Sequence, residues 1–462
     1  MTLQPALDHA TGISITDPAS GETVGVLASA DAGEARVAVE RAALAFPGWA
    51  ATPPAERGLR LRDAALALQA RADEVAALNT RETGKPAGDA AGGVEAAVNT
   101  LLQYSELGPV HRGRQLRGGR MAVDVAMPQP RGVVVALTPW NDPVAVVAGL
   151  LGAAIVSGNT VVHKPSERSP HTGALVDEIL AAALPEGVLV HVTGDGATGA
   201  ALVEQPDVAV IAHVGSTATG RALARVGAER DVHVIRENGG NDALIVDRDV
   251  DPVWAAGQAA LGAFANAGQI CTSVERIYVH RAVAEPFLSA LVAAADAWTT
   301  TSGQPLVDER MREAVAGQVD AAVAAGATLL TGGTVPEGPG SRYPATVLAD
   351  VPEDAEVLTE ETFGPVAPVV VVDDFDEGLR LAAADRYGLA ATVLTADMVN
   401  AHRAAALLPV GTVKVNAVFG GAPGGSAQPR GASGSGFGYG PELLDEMTTT
   451  TVVHFGLPGG AA

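Results

Sequence analysis

Between Val133 and Ile235, five short apolar segments alternate with helix-like segments, and this alternation constrains the fold more than any other feature. Val133–Leu137 reads as a buried strand, as do 160–163, 188–192, 208–211 and 232–235. The stretches between them, 143–156, 171–183, 197–203 and 217–226, carry helical spacing. Each segment is dominated by Val, Ile, Leu and Ala, broken only by an occasional Thr or His. Strands of that kind, spaced by a helix, form a parallel sheet covered on both sides. Such sheets bind ligands beyond the carboxyl ends of their strands. The residues just after each strand are therefore the first candidates for function.

The rest of the chain extends this pattern. Residues 30–105 read as long helices, with Asp31 and Glu34 as a start signal and Gly84-Lys85-Pro86 as a stop. Residues 111–130 are polar and rich in Arg and Gly, and read as a hairpin outside the main body. A second strand–helix series begins at Asp242–Val246. Its helix, 252–265, runs toward Cys271, and further strands are expected at 276–280, Val366–Val372, 389–394 and 411–415. The boundary between the two series falls near Gly239-Gly240. Residues 420–440 are glycine-rich, and 447–455 read as a final strand.

Composition excludes several classes. With 47% hydrophobic and 18% charged residues the chain is globular; with only 4% aromatics its core must be mainly Ala, Val and Leu. Its 53 acidic and 30 basic residues give a net charge of −23, which argues against nucleic-acid or anionic-membrane surfaces. The longest apolar stretch, 144–156, is too short to span a bilayer. No secretory signal is visible, and one cysteine in 462 residues points to the cytoplasm. The histidines are scattered without metal-ligand spacing, so no metal site is expected.

Six segments are candidates for chemistry. Cys271 lies in Gly268-Gln269-Ile270-Cys271-Thr272-Ser273, among residues that suit a cleft wall. A thiolate is a strong nucleophile, while a free cysteine is equally often a small buried hydrophobe. Asn141, in Thr138-Pro139-Trp140-Asn141-Asp142-Pro143, could donate to an oxyanion or simply make a turn. Lys164 and Glu167, in Lys164-Pro165-Ser166-Glu167, could hold ribose hydroxyls. Ser166-Glu167 could equally start the next helix. Gly194-Asp195-Gly196-Ala197-Thr198-Gly199 matches the literal dinucleotide fingerprint but lacks its downstream acid, and Gly215-Ser216-Thr217-Ala218-Thr219-Gly220 competes with it. Glu237, before Asn238-Gly239-Gly240, could serve as a general base once buried.

Taken in order, these segments, closed by Glu361-Thr362-Phe363-Gly364-Pro365, resemble the aldehyde dehydrogenase superfamily over nearly the whole chain. The resemblance implies an α/β fold of three parts. These are a Rossmann-like cofactor domain (1–110 and 131–238), an α/β catalytic domain (239–420) and a small β oligomerisation element (111–130 and 421–462). In relatives the last strand of that element joins a neighbouring subunit's sheet, so a homodimer or homotetramer is expected. Cys271 then looks like the nucleophile, Asn141 with the Cys271 N–H the oxyanion site, and Glu237 the base for hydrolysis. Trp140, Lys164, Ser166, Glu167, Gly215, Ser216, Gly239, Glu361 and Phe363 match cofactor positions, which favours the second glycine loop. Glu167 would repel a 2′-phosphate and so favours NAD. Arg168 could offset that, leaving NADP as an alternative. The implied reaction is oxidation of a small aldehyde to its acid. The rivals are a CoA-acylating relative and a catalytically silent nucleotide-binding one. Asn238 and Asn241 stand where the family usually has leucine and lysine. His213-Val214 replaces its usual Phe-Thr. Asp142 replaces an aromatic or apolar residue, and either caps the next helix or adds a charge to the substrate tunnel.

Overall fold

The computed structural model describes residues 12–118, 122–420 and 428–456. Two mixed sheets organise it. The first has six strands in the order Gly434–Ser435, His233–Glu237, Val208–Val214, Val133–Leu137, Thr160–Lys164, Leu189–His191. All its pairings are parallel except that of Gly434–Ser435 with His233–Glu237. Successive side chains leave opposite faces of a strand. Val134, Ala136, Val161, Val210 and Ala212 thus pack into one core, beneath the helices Pro54–Ala70, Ala87–Val110 and Ala145–Val156. Val133, Val135, Leu137, Val162 and Ile211 pack into another, beneath Ala32–Ala51. Both faces of the central strands are covered, which is why Val133–Leu137 is apolar throughout.

The second sheet has seven strands in the order Thr328–Thr331, Thr346–Ala349, Val366–Val372, Val274–His280, Asp242–Val246, Ala390–Leu394, Thr412–Val415. Only the pairing of Thr328–Thr331 with Thr346–Ala349 is antiparallel. That hairpin-side pair has no counterpart in the sequence reading, because Thr328–Thr331 is largely exposed and polar at its ends. The same alternation splits this sheet's side chains between two cores.

Helix ends follow local chemistry. Asp31 and Glu34 form a reciprocal capping box at Ala32–Ala51. Within the helical stretch read over 30–105, Pro54–Ala70 and Ala72–Thr83 are separate helices, broken at Arg71. The stop at Gly84 is left-handed, with φ 72°.

Arg114–Leu116 and Val123–Pro130 form the expected hairpin, and Thr448–Phe455 adds to Val123–Pro130 as a third antiparallel strand. Residues 430–446 do not join this small sheet. Arg430–Gly431 pairs with Tyr387–Gly388 in a separate two-stranded sheet, and Gly434–Ser435 with His233–Glu237, so this stretch ties the edge of the first large sheet to the segment just before Ala390–Leu394 of the second.

Candidate active site

The helix Pro252–Phe264 ends in a sharp bend. Asn266, Ala267 and Gly268 take φ of 52°, 55° and 73°, all left-handed. Side-chain amides hold this costly turn. Asn266 Nδ2 donates to the Gln269 carbonyl at 3.0 Å, Gln304 Nε2 to Asn266 Oδ1 at 2.7 Å, and Gln269 Oε1 accepts from Val307 N–H at 2.9 Å. The bend delivers Cys271, half-buried, to the carboxyl ends of the first sheet.

There Cys271 Sγ donates to Glu237 Oε1 at 3.2 Å. Glu237 ends the strand His233–Glu237 and is buried. Burial pushes its carboxyl above the usual range, against the opposing effect of the Cys271 hydrogen bond. Burial, with the Glu237 charge next, pushes the Cys271 thiol well up. The sulfur therefore stands protonated, as donor toward a buried Glu237 oxygen. Asn141 Nδ2 donates to the carbonyl of Gln269 at 3.0 Å, so the amide lies on the thiol's own loop. Two glycines permit this convergence. A Cβ on Gly240 would stand 2.1 Å from the Cys271 carbonyl oxygen, and one on Gly239 2.0 Å from Glu361 Oε2.

Beside this centre, Glu361 Oε1 accepts from Gly240 N–H at 3.0 Å. Burial pushes the Glu361 carboxyl up to about 7. The Phe363 ring meets Trp140 edge-on, with centroids 5.6 Å apart. Lys164 sits at the carboxyl end of its strand. It is buried and donates to the carbonyls of Pro165 and Gly194, both at 2.8 Å. Ser166 is buried in the turn that follows, and Glu167 is half-buried at the rim. Arg168 is not free to meet a phosphate: Nε lies 2.8 Å from Asp308 and the guanidinium stacks over Trp140 at 5.5 Å.

The two glycine loops differ physically. At Gly194–Gly199 the Asp195 carboxylate accepts from Ala197 and Thr198 N–H, so the helix N-terminus is filled from within. At Gly215–Gly220 the Ser216 hydroxyl takes only Thr219 N–H. The first turn there is otherwise exposed. Open N–H groups at a helix start suit a pyrophosphate.

Several features were not legible in the sequence. Asp142 caps nothing: the helix Ala145–Val156 has no side-chain cap, and Asp142 Oδ1 lies 3.8 Å from Lys85 Nζ. Tyr439 packs on Gly149, where a Cβ would come 2.6 Å from its ring. Burial and the charges of Glu237, Asp142 and Cys271 push its phenol well up, which places it beside the reacting groups. Asn238 and Asn241 donate to the carbonyls of Ala432 and Leu358, so both tie loops together. The scattered histidines partly converge as well. His163 and His191 both bond Asp177, while Thr138 and Thr193 meet their other nitrogens at 2.8 Å. These residues come from three different elements, so spacing could not reveal them, and the protein itself satisfies every ring nitrogen.

Thiol, amide and carboxylate thus meet beside an open helix N-terminus. The family model for the aldehyde dehydrogenase family matches residues 6–453. The chain belongs to the aldehyde dehydrogenase family. It is 36% identical over 441 residues to a betaine aldehyde dehydrogenase of Cereibacter sphaeroides, covering 90% of each chain. The structure of succinate-semialdehyde dehydrogenase from Burkholderia pseudomallei superposes with a TM-score of 0.93 at 31% identity, covering 98% of this chain and 96% of that one. PnpE in complex with nicotinamide adenine dinucleotide gives 0.93 at 30% identity, covering 96% and 94%. This aldehyde dehydrogenase accordingly uses NAD(P) to oxidise an aldehyde. No helix among its described residues is long and apolar enough to cross a membrane.

Proposed function

We propose that this chain yields a free carboxylic acid through an acyl thioester on Cys271, hydrolysed by water that Glu237 activates. The observation that carries this reading is the 3.2 Å hydrogen bond between Cys271 and the buried Glu237. Glu237 first accepts the thiol proton. The thiolate adds to the aldehyde carbon, and the developing oxyanion is held by Asn141 Nδ2 and the Cys271 N–H. Bound NAD(P)+ supplies the acceptor for the hydride that leaves the resulting thiohemiacetal. Glu237 then sheds its proton to solvent and takes one from water as that water attacks the thioester. Collapse expels the Cys271 thiolate and releases the acid.

The cofactor would lie along Trp140, Lys164, Ser166, Glu167, Gly215, Ser216, Gly239, Glu361 and Phe363. Its pyrophosphate would sit at the exposed turn after Ser216. NAD is the preferred form, because Glu167 stands at the rim while Arg168 is held by Asp308 and Trp140. Residues 1–110 and 131–238 would carry the cofactor and 239–420 the chemistry. Assembly into a homodimer or homotetramer would use 111–130 and the last strand. A cytoplasmic setting is consistent with the single thiol.

Glu237→Gln tests the hydrolytic step. Acyl-enzyme should still form, more slowly because the thiol also loses its proton acceptor, releasing one equivalent of reduced cofactor per site before a much slower steady state. Steady turnover equal to wild type would remove Glu237 from that role. Product released only when CoA is added would favour the acylating alternative.

A further inference from the structure

We propose that Glu275 is a positioning residue whose carboxylate holds the backbone of Thr362 and Phe363, so that Glu361 and the Phe363 ring stand ready for the cofactor. This rests on the reading that Glu361 and Phe363 contact the cofactor. Glu275 Oε2 accepts from Thr362 N–H at 2.7 Å and Oε1 from Phe363 N–H at 2.9 Å. Successive backbone N–H groups aimed at one anion form a concave cradle, here filled from within the chain. Phe363 is left-handed, with φ 51°, a conformation that a bulky residue keeps only where its surroundings impose it. The imposed turn sends the Phe363 ring against Trp140, and Glu361 back to Gly240.

Glu275 lies four residues beyond Cys271, in the strand Val274–His280. One side chain thus joins the strand behind the nucleophile to the loop that faces the nicotinamide end. Burial, followed by the Glu361 charge, pushes its carboxyl well above the usual range. A buried acid near other acids is costly. Simple loop closure would need only a neutral acceptor. What this carboxyl group adds is two oxygens set to meet two neighbouring N–H groups.

The test compares Glu275→Gln and Glu275→Ala with wild type. Glutamine keeps the shape but turns an amide NH2 toward one of the two N–H groups; alanine releases both. The dissociation constant for NAD+, measured by calorimetry, should rise at least about tenfold in either variant. The rate at which iodoacetamide alkylates Cys271 without cofactor should stay at the wild-type value. A folded Glu275→Gln with wild-type NAD+ affinity overturns the proposal. If neither variant folds, hydrogen exchange in the wild-type protein decides: exchange of the Thr362 and Phe363 amides at unprotected rates overturns it, and protection supports it. Glu361→Gln separates the two readings. Unchanged NAD+ affinity in that variant would remove the cofactor role of Glu361. A loss there but not in Glu275→Gln would sink the Glu275 proposal alone.

Discussion

At the scale of single residues, the centre is a set of acids taken out of water. Glu237, Asp242, Glu275 and Glu361 are all raised, with burial the largest cause in each. Asp242 shows the consequence for stability. Its Oδ1 accepts from Ala390 N–H at 3.0 Å, its Oδ2 has no partner, and its carboxyl is pushed up to about 7. The unfolded chain loses that proton near pH 4. Between about pH 4 and 7 the native state therefore holds a proton that the unfolded state lacks, so stability falls as pH rises through this window. The slope per proton is at most about 1.4 kcal/mol per pH unit. Asp242→Asn keeps the bond to Ala390 and mimics the neutral form. Its thermal midpoint should fall less than that of wild type between pH 5 and 7.5. Parallel curves would mean that Asp242 is ionised throughout.

At the scale of elements, the bend at 266–268 decides where Cys271 stands. Left-handed backbone at a non-glycine residue costs about 1–3 kcal/mol, and Asn266 and Ala267 both carry that strain. Gly268 is different. A Cβ there would come 2.0 Å from the Gly364 carbonyl oxygen, on a φ of 73°. Gly268→Ala should therefore cost well over about 1 kcal/mol and displace the loop carrying Glu361 and Phe363, raising the KM for NAD+. Ala267→Gly relieves strain and should keep wild-type activity. Equal behaviour of the two variants in thermal melts and kinetics would refute this account of the bend. Strands such as Val133–Leu137 were legible because burial on both faces leaves an unbroken apolar run. The bend was not, since an alanine in left-handed backbone gives no local sign. Edge strands such as Thr328–Thr331 stayed hidden because half of each side-chain set meets water. Glu275 was hidden for another reason: its partners lie 87 and 88 residues away, on backbone N–H groups that carry no side-chain signature.

At the scale of the whole molecule, each open sheet ends in edge strands without a neighbour among the described residues. Thr412–Val415 closes the seven-stranded sheet on one side, and Thr448–Phe455 closes the three-stranded one. Open edges invite pairing with another chain. The small sheet also exposes apolar side chains: Val123, Met127, Val452 and Phe455 are 45%, 36%, 57% and 60% accessible. Apolar groups gathered on one small sheet mark a contact surface. A net charge of −23 would keep bare monomers apart, so any association has to come from such a local surface and not from general stickiness. Light scattering of the wild-type chain should therefore give a multiple of the monomer mass. Val452→Lys with Phe455→Lys places two cations on the exposed strand while leaving its pairing with Val123–Pro130 available. That variant should scatter as a monomer and keep its cofactor affinity, because the residues assigned to the cofactor lie on the large sheets. A wild-type monomer at micromolar concentration, or a doubly substituted chain that still assembles, would locate the contact elsewhere or remove it.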